Sequence, residues 1–353
     1  MPSCVIFSPF LTSRVLQLSR AFSLEGYATR ILTRIPGPDN NADDAVSRRL
    51  QEQFPDPPLE DLSTVRVESC DVLIVLWSQY LPIEEDEWTQ ATAWAQQSKR
   101  TVLLGLSIDR RYPQRCRFEL KSIVSRRRLL KKASRALNED IAPLLSPLSL
   151  LVKQRYFGPS IHQMFLADPS LRQLIYSPVA PPDQRDLIFN FVGTRENGPR
   201  VEITPRIEDW LTRQGHDIDM LKGEPGQPGF YWWAYPSGSK SLTSQQYIQL
   251  LDRSRFTLCL PGFAGTTERV CESILRGSVP VLEAIEVPFY RLPLRDGQNA
   301  IIVKRRSDWL STVQRLLSMS PSEVAKCQQG VDELRQSLDW PQLCRRIVAH
   351  VLA

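Results

Sequence analysis

Short apolar runs alternate with amphipathic stretches along most of the chain. Cys4–Phe7, Ala28–Leu32, Val72–Trp77 and Thr101–Leu106 have strand length and strand composition. Between them, Thr12–Ser23 carries Val15, Leu16, Leu18 and Phe22 at helical spacing, and Glu87–Gln97 reads as a second amphipathic helix. A further helix is expected around Ala45–Gln53, after the Pro/Asp/Asn loop Pro36–Asp43. Alternation of this kind predicts a parallel sheet with helices on both faces.

The second half repeats the rhythm. Leu187–Val192 is an apolar strand ending in Gly193–Thr194, followed by a helix through Ile203–Gln214 and a strand around Asp217–Leu221. Lys222–Lys240 reads as a Gly/Pro-rich aromatic loop. Tyr247, Leu250 and Leu251 mark an amphipathic helix, Phe256–Leu260 and Val279–Leu282 are strands, and the segment PFYRLPL leads to a last strand at Ala300–Val303. Helices are expected at Trp309–Met319, Pro321–Leu338 and Pro341–Leu352. The expected organisation is a domain over 1–180, a domain over 183–340 and a C-terminal helix over 341–353 that packs back on the first. Pro181–Pro182 would be the stiff link.

The densest signal runs from Tyr247 to Leu282. The strand Phe256–Leu260 breaks at Pro261–Gly262 into the small-residue loop Phe263–Thr267. That loop opens a helix carrying Arg269 and Glu272, which closes on Gly277 before the next strand. Strand, glycine loop, helix start and strand form a half-unit shaped to receive a phosphate. Arg269 and Glu272, three residues apart, share a helical face. The arginine suits phosphate oxygens and the carboxylate suits the vicinal hydroxyls of a ribose. Free N–H groups at Thr266–Arg269 would add partial positive charge. The alternative is a helix capped by Thr266 or Thr267, with a surface Arg–Glu pair.

This stretch resembles the exostosin family, family 47 of the glycosyltransferases. The likeness is carried by Phe256, Leu258, Leu260, Pro261 and Gly262, then Thr267, Arg269, Glu272 and Ser273, then Gly277, Val279, Pro280 and Val281, and extends over roughly 185–345. The resemblance implies a GT-B fold, with two Rossmann-like α/β domains whose parallel sheets face an interdomain cleft. It also implies a nucleotide-sugar donor with its diphosphate at Arg269 and its ribose at Glu272. Pro261 and Gly262 are adjacent here, where the family pattern separates them.

Other candidates follow from position. Gly193, Arg195 and Arg200 sit at the carboxyl end of the first strand of the second half, where open sheets collect ligands. The alternative is an ordinary polar loop with solvated arginines. Phe230, Tyr231, Trp232, Trp233 and Tyr235 would stack on a base or sugar, or bury themselves between domains. The acidic cluster Glu84–Glu87 follows the strand Val72–Trp77. Any of the four could be the general base, with Glu87 the named candidate, although acidic residues also collect at helix starts for electrostatic reasons. The N-terminal segment with Glu87 also faintly resembles a TIR-type domain, a signalling module that in some cases cleaves NAD. A third reading keeps the transferase fold for nucleotide binding without turnover. Asp217–Ile218–Asp219 spells a metal-binding D-x-D but lacks a strand to aim it, and GT-B enzymes neutralise the leaving diphosphate without a metal. No cofactor is expected beyond the nucleotide-sugar as co-substrate.

Composition narrows the setting. The chain has 353 residues with 42% hydrophobic content, enough for two domains, and no apolar run of membrane-spanning length. Its 7 cysteines lack metal or redox spacing, and the N-terminus lacks a signal-peptide pattern, which fits a bacterial cytosol. Net charge of +5 does not call for nucleic acid. Much of the basic excess lies in an insertion near 110–150. There Arg126, Arg127, Arg128, Lys131 and Lys132 form either a solvated face or a peripheral contact with the inner membrane surface, bringing the enzyme to a glycan, polysaccharide or lipid-linked acceptor.

Overall fold

The computed structural model describes residues 1–8, 11, 13–34, 59–77, 85–105, 169–195, 198–218, 229–236, 242–262, 267–290 and 292–352. The chain forms two compact units, Met1–Tyr156 with Leu343–Ala353, and Phe157–Gln342. The division falls ahead of Pro181–Pro182, which lies inside the second unit. The expected helix at 45–53 and the basic segment at 110–150 lie outside the described residues.

The first unit is built on a five-stranded sheet in the order β3-β2-β1-β4-β5. Its strands are β1 (Ser3–Phe7), β2 (Ala28–Thr33), β3 (Leu59–Asp61), β4 (Cys70–Trp77) and β5 (Ser98–Gly105). Every pairing is parallel. Strands covered on both faces need apolar residues at consecutive positions, which is why β1 and β4 read as unbroken runs. Helices Ser13–Leu24 and Glu85–Gln97 belong to this unit. Trp94 of the second helix is buried with Phe7, Leu32, Leu73 and Val75.

The second unit has another five-stranded parallel sheet, ordered β10-β9-β8-β6-β7. Its strands are β6 (Leu187–Thr194), β7 (Gly229–Tyr235), β8 (Ser254–Leu258), β9 (Val279–Glu283) and β10 (Ile301–Val303). The aromatic segment read as a loop is the strand β7. Phe230 stacks on Phe189 at 4.9 Å, and Trp232 and Tyr231 are buried, so these rings serve the sheet's own packing. Aromatic residues fit a pleated, half-buried surface well, and here that preference outweighs the turn-forming residues around it. The strand expected around Asp217–Leu221 does not form at Asp217 and Ile218, which follow a turn. The rest of it lies outside the described residues.

Two buried arginines hold the connecting segment before β6. Arg276 forms a two-point pair with Asp252 and donates to the carbonyls of Leu174, Ser177 and Pro178. Arg185 donates to the carbonyls of Leu251, Ser254, Ala180 and Arg276. Burial comes first among the causes that lower the Arg185 pKa to about 10. Gly277, with φ at 69°, has room for no side chain, since a Cβ there would stand 2.7 Å from Arg185 Nη2.

The helix Pro321–Arg335 starts with a capping box, in which Ser320 and Glu323 satisfy each other's backbone N–H groups, and with proline in its first turn. Its Gly330 lies against the loop before β10. A Cβ there would stand 2.1 Å from the Gln298 carbonyl oxygen. Glycine to alanine inside a helix ordinarily adds about 1 kcal/mol of stability. At Gly330 the sign reverses, and Gly330→Ala is expected to cost about 1–3 kcal/mol through overpacking. A urea midpoint at or above the wild-type value would contradict this close approach.

Candidate functional site

In its own strand sequence, the second unit runs β7-β6-β8-β9-β10, so strand order reverses between β6 and β8. Ligands of open parallel sheets sit outside the carboxyl ends of the strands at such a reversal. Gly193 and Thr194 end β6, while Leu260 and Gly262 lie just past β8. Gly193, Arg200, Gly262 and Arg269, four of the eight residues expected to bind a donor, meet at this point.

Arg200 is the first residue of the helix Arg200–Arg213, which follows β6 by way of Gly198 (φ 57°) and Pro199. Its guanidinium turns back under the sheet edge. Nε and Nη2 donate to the Leu260 carbonyl at 3.2 and 3.0 Å, and Nη1 reaches the Thr194 carbonyl and hydroxyl at 3.4 Å. Arg200 is therefore a clamp between the carboxyl ends of β6 and β8, with its donors directed at protein oxygens.

Arg269 is different. It opens the helix Arg269–Leu275, and its Nη2 donates to the Val192 carbonyl. Its Nε and Nη1 are buried and have no hydrogen-bond partner among the described residues. Burial opposes its charge, but Tyr247, Cys259 and Glu272 outweigh that and raise its pKa further. The Arg269 and Arg200 guanidinium groups stand 5.5 and 5.8 Å from the centre of the Phe191 ring. Both crowd Gly193, where a Cβ would lie 3.0 Å from Arg200 Nη1 and 3.4 Å from Arg269 Nη2. Two cations share one water-poor corner, and one of them keeps unmet donors. Such an arrangement favours an anion.

Glu272 is buried and accepts from the Tyr247 hydroxyl at 2.8 Å. Burial, and then Glu272, push the Tyr247 phenol well above its ordinary range, so it remains a donor. Tyr247 lies on the helix Ser244–Arg253, capped by Thr243 and Gln246. The sequence marked Tyr247 only as part of an apolar face. Its hydroxyl contact depends on a helix that follows β8, and no local spacing signals that.

Several expectations change. The helix starts after Glu268, which makes no side-chain cap, so Thr267 is not its N-cap. Thr266 lies outside the described residues. The N–H of Thr267 is not free, since it donates to the Tyr290 hydroxyl at 2.6 Å. Arg195 points away into an ion pair with Glu208 at 2.7 Å, an acceptor it shares with the Trp232 indole N–H. Gly262 leaves ordinary van der Waals room beside Arg200.

In the first unit, Glu87 is buried and both its oxygens accept from the Arg34 guanidinium, the second at 2.7 Å. A base or a TIR-like catalytic glutamate at this position would have to release Arg34 first. Among the described residues, no group of three or more His, Cys, Asp or Glu side chains is placed to hold a metal ion.

The two site arginines should separate in stability measurements. Arg200→Ala breaks a buried clamp and is expected to cost about 2–4 kcal/mol. Arg269→Ala removes a cation with unmet donors together with its Val192 hydrogen bond and its attraction to Glu272, and is expected to cost less, about 1–2 kcal/mol. Equal losses in denaturant melts would refute the division of roles.

No protein-family model and no curated protein sequence matches the chain. Similarity lies in solved structures. TarM is 6% identical, over 100% of this chain and 99% of that one, with a TM-score of 0.50. HepE from Anabaena, solved in complex with UDP, is 10% identical over 99% of both chains, with a TM-score of 0.47. WaaG, a glycosyltransferase involved in lipopolysaccharide biosynthesis, is 12% identical over 99% of both chains, with a TM-score of 0.41. At these identities the likeness concerns fold. The chain is an α/β protein of two Rossmann-like parallel-sheet units, the GT-B fold class.

Proposed function

We propose that this protein is a glycosyltransferase that binds a nucleotide-sugar through Arg269 and transfers its sugar to a glycan, polysaccharide or lipid-linked acceptor. The observation that carries the reading is the pair of buried, unpartnered Arg269 donors, Nε and Nη1, at the β6/β8 reversal. A diphosphate oxygen would satisfy them. The exostosin-like pattern around Arg269 supports the choice of a sugar nucleotide over other phosphates.

In transfer, the bond between the anomeric carbon and the diphosphate oxygen breaks, and negative charge grows on that oxygen. Preorganised donors placed where charge develops are usually the largest catalytic contribution. Arg269 is assigned that role, so a metal is not required. Arg200 and Gly193 hold its surroundings in shape, and Gly262, beside the Arg200 guanidinium, is assigned to the same donor site. Glu272, fixed by Tyr247, is assigned to the donor ribose. The base that takes the acceptor proton is unassigned, because Glu87 is engaged with Arg34. Contact with a membrane surface through the basic segment at 126–132 belongs to the same proposal.

A thermal-shift panel of UDP-, GDP-, CMP- and dTDP-sugars tests the reading, because a ligand that binds only the folded state stabilises it by mass action. One nucleotide class is expected to raise the melting temperature. Arg269→Ala is expected to abolish both that shift and transfer, and Glu272→Ala to weaken donor binding. Turnover near the wild-type rate in Arg269→Ala, or no response to any donor, would sink the proposal.

A further inference from the structure

Tyr290 belongs to another element and lies outside the arginine corner. It ends the short helix Val287–Tyr290, beyond β9, and its side chain is fully buried. Its hydroxyl makes two hydrogen bonds to one residue, accepting from the Thr267 N–H at 2.6 Å and donating to the Thr267 carbonyl at 2.9 Å. The same carbonyl accepts from the Val270 N–H at 3.3 Å, in the first turn of the helix that Arg269 opens. Burial, and after it the nearby Glu286, push this phenol well above its ordinary range, so the hydroxyl keeps its proton at any working pH.

One hydrogen bond fixes a distance. Two bonds from a single hydroxyl to the N–H and C=O of one residue also fix how that backbone is turned. Thr267 stands two residues before Arg269, between the loop after β8 and the helix. A rotated Thr267 would carry the helix start with it, and the far end of Arg269 is held by the Val192 carbonyl and the Phe191 ring. Phenylalanine would fill the same apolar space, so the hydroxyl adds something that packing does not need.

We propose that Tyr290 is a positioning residue for anion binding: its hydroxyl latches Thr267 and so sets where the open donors of Arg269 meet a diphosphate. The inference rests on the reading of the site as a nucleotide-diphosphate site.

Inorganic pyrophosphate is the probe, because it presents the diphosphate without base or sugar. Calorimetric titration of the full chain compares wild type with Tyr290→Phe, well below the melting temperature of either. The expected result is a native circular dichroism spectrum with a pyrophosphate Kd raised about 5- to 20-fold, the size of one or two lost hydrogen bonds. In turnover with the donor found by the panel, kcat/KM should fall by a similar factor or more, with kcat falling too, because Arg269 also meets the charge that develops on the leaving oxygen. A Kd within twofold of wild type in the folded variant would overturn the latch. Should Tyr290→Phe fail to fold, amide exchange in the wild-type protein decides. The Thr267 amide should be protected, and more so with pyrophosphate; exchange at the rate of an open loop would overturn the proposal. Wild-type protein that binds neither pyrophosphate nor any nucleotide-sugar would defeat the site reading itself. Wild-type binding that Tyr290→Phe leaves unchanged would defeat the latch alone.

Discussion

A guanidinium taken out of water needs acceptors for its N–H groups, and the second unit is organised by how it meets that demand. Arg185 and Arg276 meet it with main-chain carbonyls and, for Arg276, with Asp252, drawing the segment before β6 onto the helices beside it. Arg200 meets it with Leu260 and Thr194, drawing together the carboxyl ends of two strands. Arg269 meets it only in part, through Val192. Arginine donors that find protein oxygens reinforce the native state. Donors left open in a dry corner raise its free energy until a ligand arrives. The same side chain thus serves as a staple where its acceptors were folded in and, in the proposed site, as a receptor where they were not.

Topology decides where the exception can stand. A parallel sheet gathers its loops at the carboxyl edge, and the reversal between β6 and β8 leaves a gap that no adjacent crossover fills. Gly193 gives room there, since a Cβ would press to 3.0 Å on Arg200 Nη1 and 3.2 Å on the Phe191 ring. The sequence suggested that this glycine lets a ligand's phosphate approach the backbone. The structure gives it a prior task, which is to let two arginines share one aromatic ring. In the proposed site, one bound phosphate would offset both charges.

Much of this was legible in the sequence because parallel strands covered on both sides must be apolar at every position. Val72–Trp77, Leu187–Val192 and Val279–Leu282 announce themselves for that reason, and Gly193, Arg200, Gly262 and Arg269 then fall at strand ends by simple counting. What was misread depended on contacts between distant segments. Arg195 and Arg200 look equivalent in the sequence, yet Glu208, one helix away, captures the first and leaves the second to the clamp. β3 is three half-buried residues with no pattern to find. β7 hides because glycine and proline precede its aromatics. The hydroxyls of Tyr247 and Tyr290 act across elements, and their ring-sized apolar bulk is all that periodicity can register.

These two tyrosines explain how an open cation can be kept without loosening the site. A helix of seven residues has little cooperative strength of its own. Here its first turn is held by Tyr290 through Thr267 and by Tyr247 through Glu272, and each hydroxyl comes from a separate helix whose position is set by the sheet. Both phenols are kept protonated by burial, so neither bond fades with ordinary changes of pH. The energetic cost of the unmet Arg269 donors is therefore carried by a helix start tied at both Thr267 and Glu272. That is the condition under which a strained charge can act as a preorganised receptor: the surroundings must be stiffer than the side chain's own tendency to turn and find an acceptor.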